Sequence, residues 1–479
     1  MVLQRGIAVP VWGWADPGSK IAVSFNGQNI ETTTGQNGKW VVRLAPLTCP
    51  PANPPQTLSV RGNDGEISRG DILIGDLWIC AGQSNMAFKL NRATNADSAI
   101  QAANDPLIRI CRATGKRSAL GQPAPDDLQT ADWEIATPAA VPEFSAVGYF
   151  FGVALRKSTG VPIGLLDTSV GGTPMRCWMS RGAMESDPDL RPEVERCDAE
   201  AKDYPKLLDQ YQRQLASYQK RVTEGDKKAA KPNTPKDPDS SYRMSYFYAS
   251  IIRPLQPLAI KGVIWYQGEA NSSRYQVFEK QFSTLIAEWR RDWGQGNFPW
   301  LYVQLAPYSD PNGRLVPHTW EAQANAQKIP NTAMVISLDC GVADNIHPPD
   351  KQPIGQRLAL AARAIAYGDD VNWHSPSFKS VEKHDKELIV RFDHVGDGLV
   401  AKETPIKYFT IAGDDGKFIP ADARLGPDNS VTVSSPEIPQ PAAVRYGWYE
   451  ARDPVGASLF GKDGLPAAPF RSDDWPDRK

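Results

Sequence analysis

Ile72-Leu-Ile-Gly-Asp-Leu-Trp-Ile-Cys80 runs directly into Ala81-Gly82-Gln83-Ser84-Asn85-Met86. The first block is a nearly unbroken apolar run, which is how a strand buried on both faces of a parallel sheet reads. The second places a serine where that strand ends. In an open α/β sheet this is the edge at which ligands bind. Gly82 lets the backbone turn tightly and lets a substrate approach. The fifth position is Met86, so the Gly-x-Ser-x-Gly elbow of ordinary α/β-hydrolases is absent. Ser84 is therefore either a nucleophile on a strand-end loop or the N-cap of a following helix.

Outward from this stretch the alternation continues. Apolar runs at Ile163–Asp167, Gly262–Tyr266, Leu301–Leu305 and Met334–Leu338 alternate with helical patterns at Ala146–Ser158, Tyr275–Trp293, His318–Gln327 and Pro353–Tyr367. Gly160 and Gly368 stand just past two of these patterns, the usual helix stop. The reading is an α/β domain over residues 71–374, a parallel sheet covered on both faces. Residues 1–70 read as a β-sandwich-like domain, with strands Val9–Trp14, Lys20–Phe25, Trp40–Leu44 and Thr57–Arg61 between Asp16-Pro-Gly, Asn26-Gly and Asn37-Gly turns. Residues 375–479 read as a C-terminal β module, with strands Glu387–Phe392, Ile406–Ile411, Val431–Val433 and Ala443–Trp448. Residues 188–240 break the rhythm. Tyr204, Leu207, Leu208, Tyr211, Leu215 and Tyr218 form a helical stripe, and Pro232, Pro235 and Pro238 follow in a loop. This predicts a helical insertion with packing or lid duty, or else a partner-binding helix.

The composition excludes several classes. A chain of 479 residues suggests about three domains. Lys plus Arg is 53 against 55 Asp plus Glu. There is no basic excess to hold a phosphate backbone, so no nucleic-acid partner is expected. With 41% hydrophobic and 23% charged residues the chain is ordinary globular material rather than disordered. No apolar run nears the roughly 20 residues of a membrane span. Cys49, Cys80, Cys111, Cys177, Cys197 and Cys340 form no CxxC pair, and most are expected to be reduced or buried. No His/Asp/Glu cluster has metal-ligand spacing, so neither metal nor cofactor is expected. Met1-Val-Leu-Gln-Arg lacks the charged start and apolar stretch of a signal peptide and reads as the edge of a folded domain. Either the protein is cytoplasmic or a leader lies outside this chain.

Three further blocks sit at strand ends. Asp344-Asn345-Ile346-His347-Pro348 follows Met334–Leu338. Among His318, His347, His374, His384 and His394, only His347 follows a buried-looking strand with an acid three residues before it. Asp344 there can hold the imidazole in one tautomer, and the imidazole can take the proton of Ser84. Ser169-Val170-Gly171-Gly172-Thr173-Pro174 follows Ile163–Asp167, and its adjacent glycines can present backbone N–H groups to an oxyanion. Trp265-Tyr266-Gln267-Gly268-Glu269-Ala270-Asn271 ends another strand, and Gln267 or Asn271 can add a side-chain amide donor. Four such loops converging on one rim are more specific than any one of them.

These blocks resemble the SGNH (GDSL-like) hydrolase superfamily, and more closely its sialate O-acetylesterase group. Gly82-Gln83-Ser84-Asn85-Met86 is similar to that group's nucleophile block and Gly171-Gly172-Thr173 to its glycine block. Gln267-Gly268-Glu269-Ala270-Asn271 resembles the block that replaces Gly-x-Asn-Asp. Asp344-Asn345-Ile346-His347-Pro348 resembles the acid–histidine block. The resemblance reaches both ends, through Met1-Val-Leu-Gln-Arg and Val11-Trp12-Gly13, and through Val444-Arg-Tyr-Gly-Trp448 and Gly464-Leu-Pro-Ala. It implies a flavodoxin-like three-layer SGNH domain flanked by β modules. It also implies a metal-independent serine esterase acting on acetylated sugars, most closely sialate, with acetylxylan or another polysaccharide as the alternative. The implied roles are Ser84 as nucleophile, His347 as base and Asp344 as orienting acid. The implied oxyanion hole is the backbone of Ser84 and Gly172 with the Gln267 amide. Asn85, Trp178 and Asn271 are weaker candidates for substrate contact. Met175-Arg176-Cys177-Trp178 departs from the group's acidic residue and alanine before the Trp, which bears on the pocket and not on the chemistry. The resemblance favours export over the cytoplasm. The non-enzymatic alternative, a carbohydrate-binding protein, would not need Ser84, Asp344 and His347 together.

Overall fold

A computed structural model describes residues 1–115, 128–235, 237, 243–309, 316–448 and 456–475. The N-terminal part consists of β1 (Val2–Gln4), β2 (Val9–Trp14), β3 (Lys20–Phe25), β4 (Gln28–Thr33), β5 (Lys39–Leu44), β6 (Gln56–Gly62) and the 18-residue β7 (Gly65–Gly82). The expected border at residue 70 falls inside β7. The change there from Gly65-Glu-Ile-Ser-Arg-Gly70 to apolar residues marks a change in burial and not a break in the chain. The first half of β7 pairs antiparallel with β6. Beyond it, β1 runs parallel to Leu73–Gly75 on one edge and β11 then takes over that edge, so the two modules share one strand. Fully buried Asp76 fastens the joint, accepting from Gln4 Nε2 (3.0 Å), Arg5 Nε (3.1 Å), Arg5 Nη2 (3.0 Å) and Tyr367 Oη (2.9 Å).

The central sheet adds β8 (Asp105–Gly115), β9 (Leu128–Thr130), β10 (Glu134–Ala136), β11 (Ile163–Asp167), β12 (Gly262–Tyr266), β13 (Trp300–Val303) and β14 (Thr332–Val335). Its order is β10-β8-β11-β7-β12-β13-β14, parallel from β8 to β14, with β10 antiparallel at the edge. The chain fills β8 and β11 on one side of β7 and then crosses to β12, β13 and β14 on the other. That reversal makes the C-terminal end of β7 the switch point at which open α/β sheets bind ligands. β8 went unread in the sequence because Pro106, Arg109 and Arg112 interrupt its apolar residues. Arg109 is nonetheless buried, its guanidinium spent on the Asp71 carboxylate (2.8 Å) and the Pro106 carbonyl (3.0 Å).

Alternate residues of β7 enter opposite cores. Leu77, Ile79 and Ala81 join the layer of the helix Phe278–Trp293, while Trp78 and Cys80 join that of the helices Ala146–Thr159 and Gln352–Tyr367. Those two helices touch at Gly355, where a Cβ would stand 2.6 Å from Phe150 Cβ. The C-terminal module has a sheet of Ser377–His384, Glu387–Asp393, Val431–Ser434 and Asp422–Leu425, and a second built on Phe409–Ala412 and Ala443–Tyr446. Its Tyr446 and Phe470 share one core with Leu338 and Trp320, and Arg471 grips Glu321 through two 2.8 Å bonds.

The insertion is a 33-residue helix, Arg191–Thr223, in which only Glu193 and Val194 are buried. Tyr204, Leu208, Tyr211, Leu215 and Tyr218 are half-buried, and Leu207 is exposed. The returning chain lies along this stripe, with Thr234 Oγ1 3.2 Å from Tyr211 Oη. Residues 236 and 238–240 of the insertion, Pro238 among them, lie outside the described residues. All six cysteines are free thiols. Among the described residues no helix is long and apolar enough to cross a membrane.

Candidate active site

Gly82 ends β7 with φ +130°, and a Cβ there would stand 2.3 Å from the Tyr266 carbonyl oxygen. Only glycine fits, because β12 passes so close. Gln83 N donates to that same carbonyl (2.9 Å), and Val170 N donates to Gly82 O (3.0 Å). The loops after β7, β11 and β12 are thus stitched together by their backbones. Ser84 sits on a turn closed by Met86 N and Ala87 N to Gln83 O, both 2.9 Å, and caps no helix. Its Oγ lies 2.7 Å from His347 Nε2. A hydroxyl within hydrogen-bond reach of a histidine at a strand-end switch point is the geometry of an activated nucleophile.

The glycine block lies beside this pair. A Cβ on Gly171 would come 3.6 Å from Ser84 Cβ, and Gly172 is exposed with φ +74°. Gln267 is near but turned inward. Its Nε2 donates to Thr173 O (3.2 Å) and Asn271 Oδ1 (2.7 Å), so both amide protons are spent holding the glycine loop. Asn271 is spent in the same way, with Oδ1 accepting from Met175 N (2.9 Å) and Nδ2 donating to Gln281 Oε1 (2.9 Å). Trp178 is fully buried. Its Nε1 donates to Thr173 Oγ1 (3.0 Å) and its ring stacks on Phe247 at 5.0 Å. In this structure these three side chains are buried and their hydrogen bonds run within the rim, Gln267 Oε1 being their one buried polar atom without a partner among the described residues.

Asn85 is likewise a buried strut, and it exposes a feature the sequence did not signal. Its Nδ2 donates to Glu269 Oε1 (2.5 Å) and to Ile346 O (3.0 Å), and its Oδ1 accepts from Lys351 Nζ (2.5 Å). One amide therefore joins the nucleophile loop to the histidine loop and separates a buried acid from a buried base. Burial pushes Glu269 above the usual carboxylate range and pulls Lys351 down to about 7. The Lys351 ammonium also faces the Phe88 and Tyr266 rings at 5.0 and 5.3 Å, which compensates part of its lost hydration. A Lys four residues past a histidine has no sequence signature, and a surface lysine is the ordinary expectation.

Asp344 is exposed, and among the described residues no hydrogen bond or ion pair joins it to His347. His347 is half-buried and its pKa falls below its ordinary 6.5, first through burial, then through the Lys351 ammonium and the Arg92 guanidinium. Arg92 is an exposed cation on the same rim, lying over the Phe88 ring.

Comparisons with known proteins place the chain among carbohydrate esterases. A family model described as carbohydrate esterase, sialic acid-specific acetylesterase matches residues 74–219 and 240–364. The sialate O-acetylesterase of Mus musculus is 29% identical over 435 residues, covering 80% of this chain and 75% of its own. That of Homo sapiens is 25% identical over 515 residues, covering 98% and 90%. A carbohydrate acetylesterase from Xanthomonas citri superposes with a TM-score of 0.80 at 34% identity, over 99% of this chain and 97% of that one. The family match contains the Ser84 and His347 loops and the sheet between them, so the chain is a carboxylic ester hydrolase and belongs to the sialic acid-specific acetylesterase family of carbohydrate esterases.

Proposed function

We propose that the protein removes O-acetyl groups from sugars, sialic acids foremost, through an acetyl-enzyme on Ser84. The observation that carries this reading is the 2.7 Å contact between Ser84 Oγ and His347 Nε2 at the end of β7. Ser84 Oγ attacks the acetyl carbonyl carbon while His347 Nε2 takes its proton. The tetrahedral intermediate collapses, the sugar oxygen leaves with the proton from His347, and the acetyl group stays on Ser84. Water, deprotonated by His347, then attacks the ester; the C–Oγ bond breaks, His347 returns that proton to Ser84 Oγ, and acetate is released. Positioned base catalysis of this kind contributes about 10²–10⁴-fold. The backbone N–H groups of Ser84 and Gly172 take the oxyanion, each such donor contributing roughly 3 kcal/mol. Gln267 acts one step back by holding the loop that carries Gly172. Asp344 is the acid that turns onto His347 Nδ1 in the substrate complex, since catalytic hydrogen bonds often tighten only there.

Arg92 favours an anionic sugar. Its charge already reaches His347, and a carboxylate bound at this rim would pair with it. The test is acetate release from O-acetylated sialic acids against acetylated xylo-oligosaccharides, with an Arg92→Gln variant. The reading requires a raised KM for the sialic acids and an unchanged kcat/KM for p-nitrophenyl acetate. Faster turnover of the xylo-oligosaccharides by the parent enzyme would overturn the sialate preference while leaving the esterase mechanism standing.

A further inference from the structure

At the opposite end of the sheet, the N-terminal module and the catalytic domain enclose a groove of about 680 Å³. One wall is the outer face of the β2–β5 ribbon, where Trp12 pairs across with Val41 and Trp14 with Lys39. The other is built from Arg253, Gln256, Asp292 and Gln295. We propose that this groove is a second carbohydrate site that binds an acidic glycan chain, apart from the catalytic centre. The proposal rests on the esterase reading only in taking the glycan to be the polymer that carries the acetyl ester.

The ribbon breaks the rule for a solvent-facing sheet. Along β5 the inward residues Trp40, Val42 and Leu44 are buried, and the outward positions should be polar. Instead the outward face carries Trp14, 57% exposed, Val41, 49% exposed, and partly exposed Trp12. Trp12 and Trp14 are two residues apart on one strand and so face the same way. Gly13 between them has no side chain because a Cβ would stand 2.7 Å from Trp40 Cζ2. The result is an apolar, π-faced floor, and the negative face of an indole attracts the polarised C–H face of a pyranose. The volume falls within the roughly 300–1,000 Å³ of ligand sites, which favour domain interfaces as this groove does.

Charge decides the kind of glycan. Lys39, Arg43 and Arg253 are exposed along the groove and make no ion pair among the described residues. Asp292 is the one acid of the lining, and its carboxylate is already held by Tyr248 Oη (2.5 Å) and Arg291 Nε (2.8 Å). An open field of cations over tryptophan fits a sugar bearing a carboxylate, such as a uronic or sialic acid. Location decides the role. Arg253 and Gln256 precede β12 and Asp292 precedes β13, so the groove lies at the N-terminal ends of these two strands, while the C-terminal end of β12 carries the Gln267–Asn271 loop of the active site. The five residues of β12 alone separate the two rims by about 17 Å. A polymer held at the groove raises the local concentration of its acetyl groups at Ser84 without taking part in the chemistry.

The experiment is affinity electrophoresis of the full chain carrying Ser84→Ala, in gels containing polysialic acid, polygalacturonic acid or neutral xylan. The acidic polymers should retard the protein, less so at high salt. Trp12→Ala with Trp14→Ala should weaken that retardation at least tenfold. Lys39→Gln with Arg43→Gln and Arg253→Gln, at exposed positions that do not endanger the fold, should do the same. On the Ser84 background both sets should leave p-nitrophenyl acetate hydrolysis within twofold. Undiminished retardation of a folded tryptophan variant would overturn the site. Retardation by xylan that survives the loss of the three cations would overturn its acidic specificity. Failure of the Ser84 enzyme to hydrolyse p-nitrophenyl acetate would instead strike the esterase reading and leave the gel result standing.

Discussion

The loop that carries Ser84 is tightly packed, with the serine itself only half-buried, whereas the loop that carries His347 is largely open to solvent. Around Ser84, Gly82 is pressed against Tyr266 and Gln83 is bonded to β12, while Asn85 is fully buried. Around His347, Ala343, Asp344 and Asn345 are exposed. That loop is held by Asn85 Nδ2 on Ile346 O, by Ser309 N on Ala343 O (2.8 Å) and by His347 N on Asn345 Oδ1 (2.9 Å). The Ser84 loop is thus fixed by close backbone packing, whereas the His347 loop is held by a few backbone and side-chain bonds, one of them rooted in the buried Lys351–Asn85–Glu269 strut. A hydrolase gains from this arrangement. In the proposed mechanism the serine must meet a fixed oxyanion site, while the histidine has to serve both attack and leaving-group protonation.

The largest effect should come at the contact between the two loops. Ser84→Ala should lower kcat for p-nitrophenyl acetate by about 10⁴-fold or more, because removing a nucleophile removes the whole covalent route. Among the described residues the Ser84 hydroxyl bonds His347 alone, so the melting temperature should be nearly unchanged. Retention of more than a few per cent of turnover in a folded variant would put the nucleophile elsewhere.

Next in size is the strut. Asn85→Leu removes the hydrogen bonds of two buried ionisable groups and of Ile346 O at once. Leaving buried charges unpaired costs about 3–5 kcal/mol. Denaturant unfolding should show a loss of that order, together with a fall in kcat as the His347 loop loosens. A variant as stable as the parent, with intact kcat, would mean that the two loops are independent.

How far the sequence could have led to this picture differs between the same two loops. Runs such as Ile163–Asp167 and Gly262–Tyr266 appear in the structure with the bounds read from the sequence, because strands buried on both faces leave an unmistakable apolar signature. Ser84 and His347 were legible as residues that end or follow such strands. The support behind them was not. Asn85 and Lys351 are 266 residues apart in the chain, and a polar residue buried by tertiary packing reads no differently from an exposed one. The same holds for Trp178 and Asn271, whose types suggested substrate contact, and for Gln267, whose amide suggested an oxyanion donor; the sequence does not show that all three are buried.

A smaller effect is expected at Asp344. Its carboxylate is exposed and is not bonded to the imidazole in the unliganded structure, so it contributes only what it gains on substrate binding. Asp344→Asn should cost about 10–100-fold in kcat, within or below the usual contribution of the whole base. KM for p-nitrophenyl acetate should change little. A loss equal to that of Ser84→Ala would show that the open loop is as tightly constrained in catalysis as the closed one.

The smallest and most diagnostic effect is on pH dependence. His347 must be neutral to accept a proton, so kcat/KM falls on the acid side as His347 protonates. Burial, Lys351 and Arg92 all disfavour the imidazolium, which places this limb below pH 6.5. Lys351, pulled down to about 7, is itself charged over the range in which His347 titrates. Lys351→Met keeps the site apolar between Phe88 and Tyr266 but removes that charge. The imidazolium then becomes less unfavourable, the His347 pKa rises, and the acid limb moves to higher pH. The displacement should be partial, since burial is the first cause of the lowering and remains in place, and Arg92 remains as well. Measuring kcat/KM for p-nitrophenyl acetate from pH 4.5 to 8 in both proteins decides the matter. A limb that stays put would mean that the strut holds His347 by position alone, and a limb that moves down would mean that the ammonium does not face the imidazole.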